Sequence, residues 1–314
     1  MRASAARPFV AVMLQCFGKH TSGGCLSRGL SARLWRTRIG TTAFLLSQHQ
    51  RHFCKVGNYI HVERDSENTE VAVVEMRRQP VNGLNTDFMV ELEETLKILQ
   101  NDNSYRGVIL SSGNPDVFSA GLDIPNLYQK SSGHFSDLWK SLLDFWTRFY
   151  GTRMVTIAAI NGHTYGGGCM IAMSCDYQIM AQGNYNYGFS AVQLGLHVPS
   201  WVHELMSKSC GQRVAEKSFQ MGLLYKPDEA LRIGLVDEVV HQSELLNTAR
   251  KQMSNWLKVP DHARVMTKEM LRAPLLEKLH SEREGEIASM TDFLRSETVQ
   301  RSIGAYLERL KNKK

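Results

Sequence analysis

Residues 155–180, VTIAAINGHTYGGGCMIAMSCDYQIM, set three consecutive glycines, Gly166, Gly167 and Gly168, between a β-branched run and an apolar stretch leading to Cys175 and Asp176. Glycine lets backbone come close to a ligand, and the first N–H groups of a helix have no partner within it, so such a junction suits an anion or a developing oxyanion. A bare strand-to-helix connection would use the same glycines. A second small-residue bend, Phe118-Ser119-Ala120-Gly121-Leu122-Asp123-Ile124, follows an earlier strand, and its Leu122 N–H is a candidate donor to pair with that of Gly167. Two aimed amides serve reactions that build negative charge on a carbonyl oxygen. Alone, this bend reads equally well as a turn into a helix. The side chains nearby that could move a proton are His163, Tyr165 and His197. Imidazole is suited to that work near neutral pH, but His163 and Tyr165 also fit loop packing, and His197 also fits a surface position. Asp123 is expected to cap the next helix through backbone N–H groups, and Asp176 to be structural.

The elements that must position these groups follow from hydrophobic period. Residues 58–64 and 71–76 read as strands joined by a polar turn at Ser66-Glu67-Asn68. After a turn over Gln79-Pro80-Val81-Asn82-Gly83-Leu84-Asn85, the spacing of Phe88, Val90, Leu92, Leu96 and Leu99 predicts an amphipathic helix from Thr86 to Asn101, with Asn85-Thr86 able to cap it. Residues 106–111 are the next buried strand. Residues 134–150 align Phe135, Leu138, Leu142, Phe145, Trp146 and Phe149 on one helical face, as core or a subunit contact. From Tyr185 to Ser200 the chain is aromatic and loop-like, broken by Gly188, Gly195 and Pro199. Helices are expected over about 201–210, over 212–221 and from Lys226 with Pro227 in the first turn, then a strand over 235–240. Beyond Glu244 the pattern is helical, jointed at Pro260-Asp261 and at Ala273-Pro274.

With 314 residues, 43% of them hydrophobic, the chain can bury a full core as one large domain, with or without an appended arm. No apolar run is long enough to span a membrane. The net charge of +6 is unevenly spread: residues 1–62 hold nine Lys and Arg and no Asp or Glu, leaving 28 basic against 31 acidic residues in the rest. Basicity therefore belongs to the leader and not to a nucleic-acid surface. An acid-free leader rich in Arg, Ser and Ala reads as a mitochondrial transit peptide; a disordered basic tail has the same composition. Cys169, Cys175 and Cys210 form no CxxC pair, which fits a reduced compartment and neither a disulfide framework nor a zinc site.

In order, AGLDI, AINGHTYGGGCMIAMSCDY, GFSAVQLGL and GLVDEVV resemble the crotonase (enoyl-CoA hydratase/isomerase) superfamily. PVNGLN, FSAGLD, CDYQIM, VQLGL, PDHARVMTKEM and YLERLK are similar to its mitochondrial enoyl-CoA delta isomerase branch. The resemblance implies an α/β fold, a spiral of ββα repeats with two packed sheets and a C-terminal helical trimerisation region. It divides the chain into a transit peptide at 1–54, a spiral core at 55–243 and a helical region at 244–314. It implies an enzyme of mitochondrial matrix fatty-acid β-oxidation that moves a 3-enoyl-CoA double bond to the 2-trans position. Leu122 and Gly167 would be the oxyanion donors, Ala120, Gly121, Leu122, Asp123 and Ile124 would line the pantetheine, and the adenine would lie near Val81, Asn82 and Leu84. No metal or redox cofactor is implied, since CoA arrives with the substrate, and a homotrimer is.

One part of the family pattern is missing. Isomerases of the family use a glutamate at the position that is Ala191 here, and the hydratase branch places another where this chain has Met170. An alanine cannot accept a proton. Three readings follow: an isomerase with a substitute base, for which His197 stands six residues past Ala191; an acyl-CoA-binding protein without turnover; or another thioester reaction, such as hydrolysis, that needs only the two donors and a placed water.

Overall fold

The computed structural model describes residues 57–312, so the leader read at 1–54 lies outside the described residues. In chain order the strands are β1 (Ile60–Arg64), β2 (Val71–Met76), β3 (Gly107–Ser112), β4 (Val117–Ser119), β5 (Val155–Ile160), β6 (His163–Tyr165), β7 (Tyr177–Ala181), β8 (Tyr187–Gly188), β9 (Leu224–Tyr225) and β10 (Glu238–Val240). The helices are α1 (Thr86–Asn101), α2 (Ser132–Tyr150), α3 (Gly167–Met173), α4 (Ser200–Cys210), α5 (Gln212–Met221), α6 (Pro227–Arg232), α7 (Leu245–Leu257), α8 (Asp261–Arg295) and α9 (Glu297–Lys311).

Two sheets result. The larger runs β1-β2-β3-β5-β7-β10 and is parallel except for β1 against β2; the smaller runs β4-β6-β8-β9 and is parallel except for β9 against β8. Successive turns of the chain give one strand to each: β3 then β4, β5 then β6, β7 then β8. That is the spiral of two packed sheets expected from the motifs. The large sheet is covered on both faces, which is why its strands read as near-continuous apolar runs. Ala72, Val74, Val108, Leu110, Ala158, Ile160 and Met180 face the main core, while Val71, Val73, Ile109, Val155, Ile157, Ala159 and Ile179 pack under α7 through Leu245, Ala249 and Met253.

Local chemistry accounts for the helix starts. Asn85 caps α1 by accepting the N–H of Phe88 at 3.1 Å, and Ser131 caps α2 by accepting that of His134 at 3.2 Å. Two expectations are corrected. Asp123 makes no capping bond; its carboxylate pairs with Arg78 at 2.7 Å, because a guanidinium is a stronger partner than a short 3-10 turn over Ile124–Leu127. Ala273-Pro274 is no joint either, since α8 runs unbroken through Pro274. The proline forfeits one backbone bond and crowds the carbonyl of Met270, which sits on the exposed side of the helix, while Leu275 and Leu279 just beyond are buried and hold the helix in place.

Asp176 ties α8 to the sheet. Its carboxylate accepts from the Thr156 N–H (2.9 Å), Lys268 (2.6 Å) and Arg272 (2.7 Å), a structural role as expected. Burial pushes the Lys268 ammonium down to about 8, with Asp176 pulling the other way. The last helix reaches back to the turn after the SAGLD bend: Gln300 on α9 donates to the Leu127 carbonyl at 2.9 Å and accepts the Gln129 N–H at 2.7 Å.

Candidate active site

Between β4 and the following 3-10 turn the chain runs beside the loop ahead of α1, and Leu84 and Leu122 form an isolated parallel bridge. The bridge uses the neighbours of Leu122: Leu84 N–H donates to Gly121 carbonyl at 2.7 Å, and Asp123 N–H donates to Leu84 carbonyl at 3.0 Å. Pairing of that kind leaves the N–H of the central residue facing away. Across from it, β6 ends at Tyr165, Gly166 turns with φ +50°, and α3 begins at Gly167. Gly166 N–H donates to Gly188 and Met170 N–H to Gly166, so among the described residues neither Leu122 N–H nor Gly167 N–H is engaged.

Glycine is required where these segments meet. A Cβ on Gly121, at φ +79°, would stand 2.5 Å from the Tyr165 carbonyl oxygen and 2.8 Å from the Gly167 nitrogen. A Cβ on Gly167 would stand 2.6 Å from Leu84 Cδ1 and 3.7 Å from the Leu122 nitrogen. The two open amides are therefore neighbours at a contact too close for side chains.

Both border a cavity of about 100 Å³. Ala120, Leu122, Ile124, Gly167, Met170, Ala191 and His197 all line it, so the structure brings together most residues singled out in the sequence. Gly121 is behind the wall, where its carbonyl holds Leu84, and Asp123 faces Arg78. Val81, Asn82 and Leu84 are only 3%, 0% and 0% exposed, and Asn82 Nδ2 donates to Ser112 Oγ and the Phe118 carbonyl, both at 2.9 Å. These three brace the core; their side chains are not offered to a ligand. Among the other wall residues, Trp139 and Leu142 of α2, Phe189, and Trp201 and Val202 of α4 are not marked as site by the sequence. Of these only Leu142 lies on the apolar stripe read over residues 134–150, which core packing explains as well.

No Asp or Glu lines the cavity. Ala191 opens the 3-10 turn Ala191–Leu194, and Met170 is buried in α3. Tyr165 lines the cavity, but its hydroxyl is bound within the protein: Asn186 N–H donates to His163 Nδ1 at 3.2 Å, so that nitrogen is unprotonated and the Tyr165 hydroxyl donates to it as well, at 3.0 Å. Burial pushes the phenol up to about 12, and burial pushes His163 down to about 4. Both belong to loop packing, one of the roles weighed for them. His197 lies at the exposed rim, its ring edge-on to Phe293 of α8 with centroids 4.2 Å apart. Among the described residues no group of three or more His, Cys, Asp or Glu is placed to hold a metal ion, and no helix is long and apolar enough to cross a membrane.

Residues 66–313 match the enoyl-CoA hydratase/isomerase family model. The human mitochondrial enoyl-CoA delta isomerase 1 is 40% identical over 245 residues, covering 78% of this chain and 81% of that protein. A short-chain-enoyl-CoA hydratase of Clostridium acetobutylicum is 36% identical over 203 residues, covering 63% of this chain and 75% of the relative. The crystal structure of human mitochondrial delta3-delta2-enoyl-CoA isomerase superposes with a TM-score of 0.79 at 39% identity, over 82% of this chain and 99% of that one. An enoyl-CoA hydratase from Bacillus halodurans, at 21% identity and a TM-score of 0.72 over 79% of this chain and 99% of that one, shares the fold. Motif order, paired spiral sheets and these likenesses agree, and the chain belongs to the enoyl-CoA hydratase/isomerase family.

Proposed function

We propose that this protein is an enoyl-CoA isomerase of mitochondrial fatty-acid oxidation, shifting a 3-enoyl-CoA double bond to 2-trans. The observation that carries the reading is a pair of unengaged neighbouring amides, Leu122 and Gly167, on an apolar cavity in a chain 40% identical to an enoyl-CoA delta isomerase. Loss of a proton from C2 of the thioester sends charge to the carbonyl oxygen. The two N–H groups receive that oxygen, and Trp139, Leu142 and Trp201 exclude water around it, where each donor is worth about 10²–10³-fold in rate. The acyl chain lies in the cavity, the pantetheine passes along Ala120–Ile124, and the adenine passes near the loop at Val81–Leu84 without resting on its buried side chains. No cofactor beyond the CoA of the substrate takes part. The chain acts in the matrix after removal of its basic leader, and it assembles as a homotrimer through its C-terminal helices.

One observation favours a second reading, binding without turnover: no carboxylate lines the cavity, with Ala191 and Met170 where the family places its glutamates. Purified protein lacking the leader, given trans-3-hexenoyl-CoA in a coupled assay beside a CoA-ester binding titration, separates the two. Turnover of about 1–10³ per second supports the isomerase. Tight binding without product, with turnover created by Ala191→Glu, supports the second reading.

A further inference from the structure

An isomerase needs a group that takes a proton from C2 and returns one to C4, and the cavity leaves few choices. Its wall is Ala, Leu, Ile, Val, Met, Trp, Phe, Pro and Gly, apart from Ser190, Tyr165 and His197. Ser190 has no basic partner there, and the Tyr165 hydroxyl is committed to His163 and also accepts from Asn186 Nδ2 at 3.2 Å. His197 differs from the histidines whose rings are tied into the fold. His134 Nε2 meets the Asn126 carbonyl at 2.9 Å, His163 Nδ1 takes two donors, and His241 Nδ1 meets Ser243 Oγ at 2.9 Å. Neither ring nitrogen of His197 is hydrogen-bonded among the described residues, yet the ring is held by Phe293 at 4.2 Å. It shares the cavity with both open amides and with Ala191, whose methyl group fills little of the space a longer side chain would take.

We infer that His197 is the proton shuttle of this site, a catalytic residue that replaces a carboxylate base; this rests on the isomerase reading. A ring nitrogen of the neutral imidazole uses its lone pair to take the C2 proton. The C2–H electron pair flows to the thioester oxygen, giving a dienolate hydrogen-bonded by Leu122 and Gly167. The imidazolium then returns a proton to C4 as the carbonyl re-forms and the double bond settles between C2 and C3. The imidazole ends neutral and nothing is oxidised or reduced. Held at the rim by an aromatic edge and by no hydrogen bond, the ring can tilt between two carbons about two bonds apart.

The test compares wild type, His197→Gln and His197→Ala for turnover of trans-3-hexenoyl-CoA and for binding of saturated hexanoyl-CoA, which cannot isomerise. A loss of about 10²–10⁴-fold in kcat with hexanoyl-CoA binding within threefold, and partial recovery of the alanine variant by added imidazole, is expected. Wild-type turnover that survives both substitutions within about threefold overturns the assignment and leaves the isomerase reading standing. Turnover lost in step with hexanoyl-CoA binding makes His197 a binding residue and overturns it too. A wild type that binds and does not turn over removes the isomerase reading and this inference with it.

Discussion

Gly121 sits where three demands meet: a left-handed φ of +79°, the Tyr165 carbonyl 2.5 Å from any added Cβ, and a carbonyl of its own that fixes Leu84. Gly121→Ala should therefore push the Leu122 amide away from that of Gly167, lowering kcat by about 10²-fold, the scale of one lost donor, along with a drop in melting temperature. Steady-state kinetics beside a thermal melt checks this. An unchanged kcat would mean that the Leu122 N–H does not meet the reacting oxygen. The glycines themselves were legible, because a triplet between a strand and a helix is a local pattern. The partner of Asp123 was not, because Arg78 lies 45 residues away and nothing between them signals an ion pair. The burial of Val81, Asn82 and Leu84 was hidden for the same reason, since it arises from β4 passing beside their loop.

At the level of elements, α1 and α2 show what local signals reach. Asn85 stands directly before an amphipathic run and caps it as read, whereas α2 begins at Ser132, two residues earlier than its apolar pattern, because Ser131 and not hydrophobic period sets the start. Strands β4, β6 and β8 are too short to show alternation, and the sequence assigns none of them as a strand, although with β9 they form the smaller sheet that holds both open amides in place. Ser131→Ala should cost about 1 kcal/mol in urea unfolding. Asp176→Asn should cost more, about 3–5 kcal/mol, because it leaves Lys268 and Arg272 buried without their counter-charge. Equal midpoints for wild type and Asp176→Asn would show that α8 is held by its apolar face alone.

Over the whole molecule, stability should depend on pH through His163. Burial holds its folded form down at about 4 against an ordinary 6.5, so between these values the unfolded chain binds more protons than the folded one. Stability is full above 6.5 and falls as the medium is acidified toward 4, which melting temperatures across that range would reveal and His163→Gln would flatten. Met266, Met270 and Leu271 are exposed on α8 in the single chain. The proposed homotrimer would cover them, so Met270→Glu with Leu271→Glu should lower the sedimenting mass to that of one chain, and a mass that the substitutions leave unchanged would count against a contact at this face. The grip of Gln300 on the carbonyl of Leu127 and the amide of Gln129 fastens the turn that follows the Leu122 bend to a helix far along the chain. A cut after Ser296 should therefore loosen that turn and, through it, the neighbouring Leu122 amide, so limited proteolysis followed by the hexenoyl-CoA assay should show turnover falling while circular dichroism reports intact sheets.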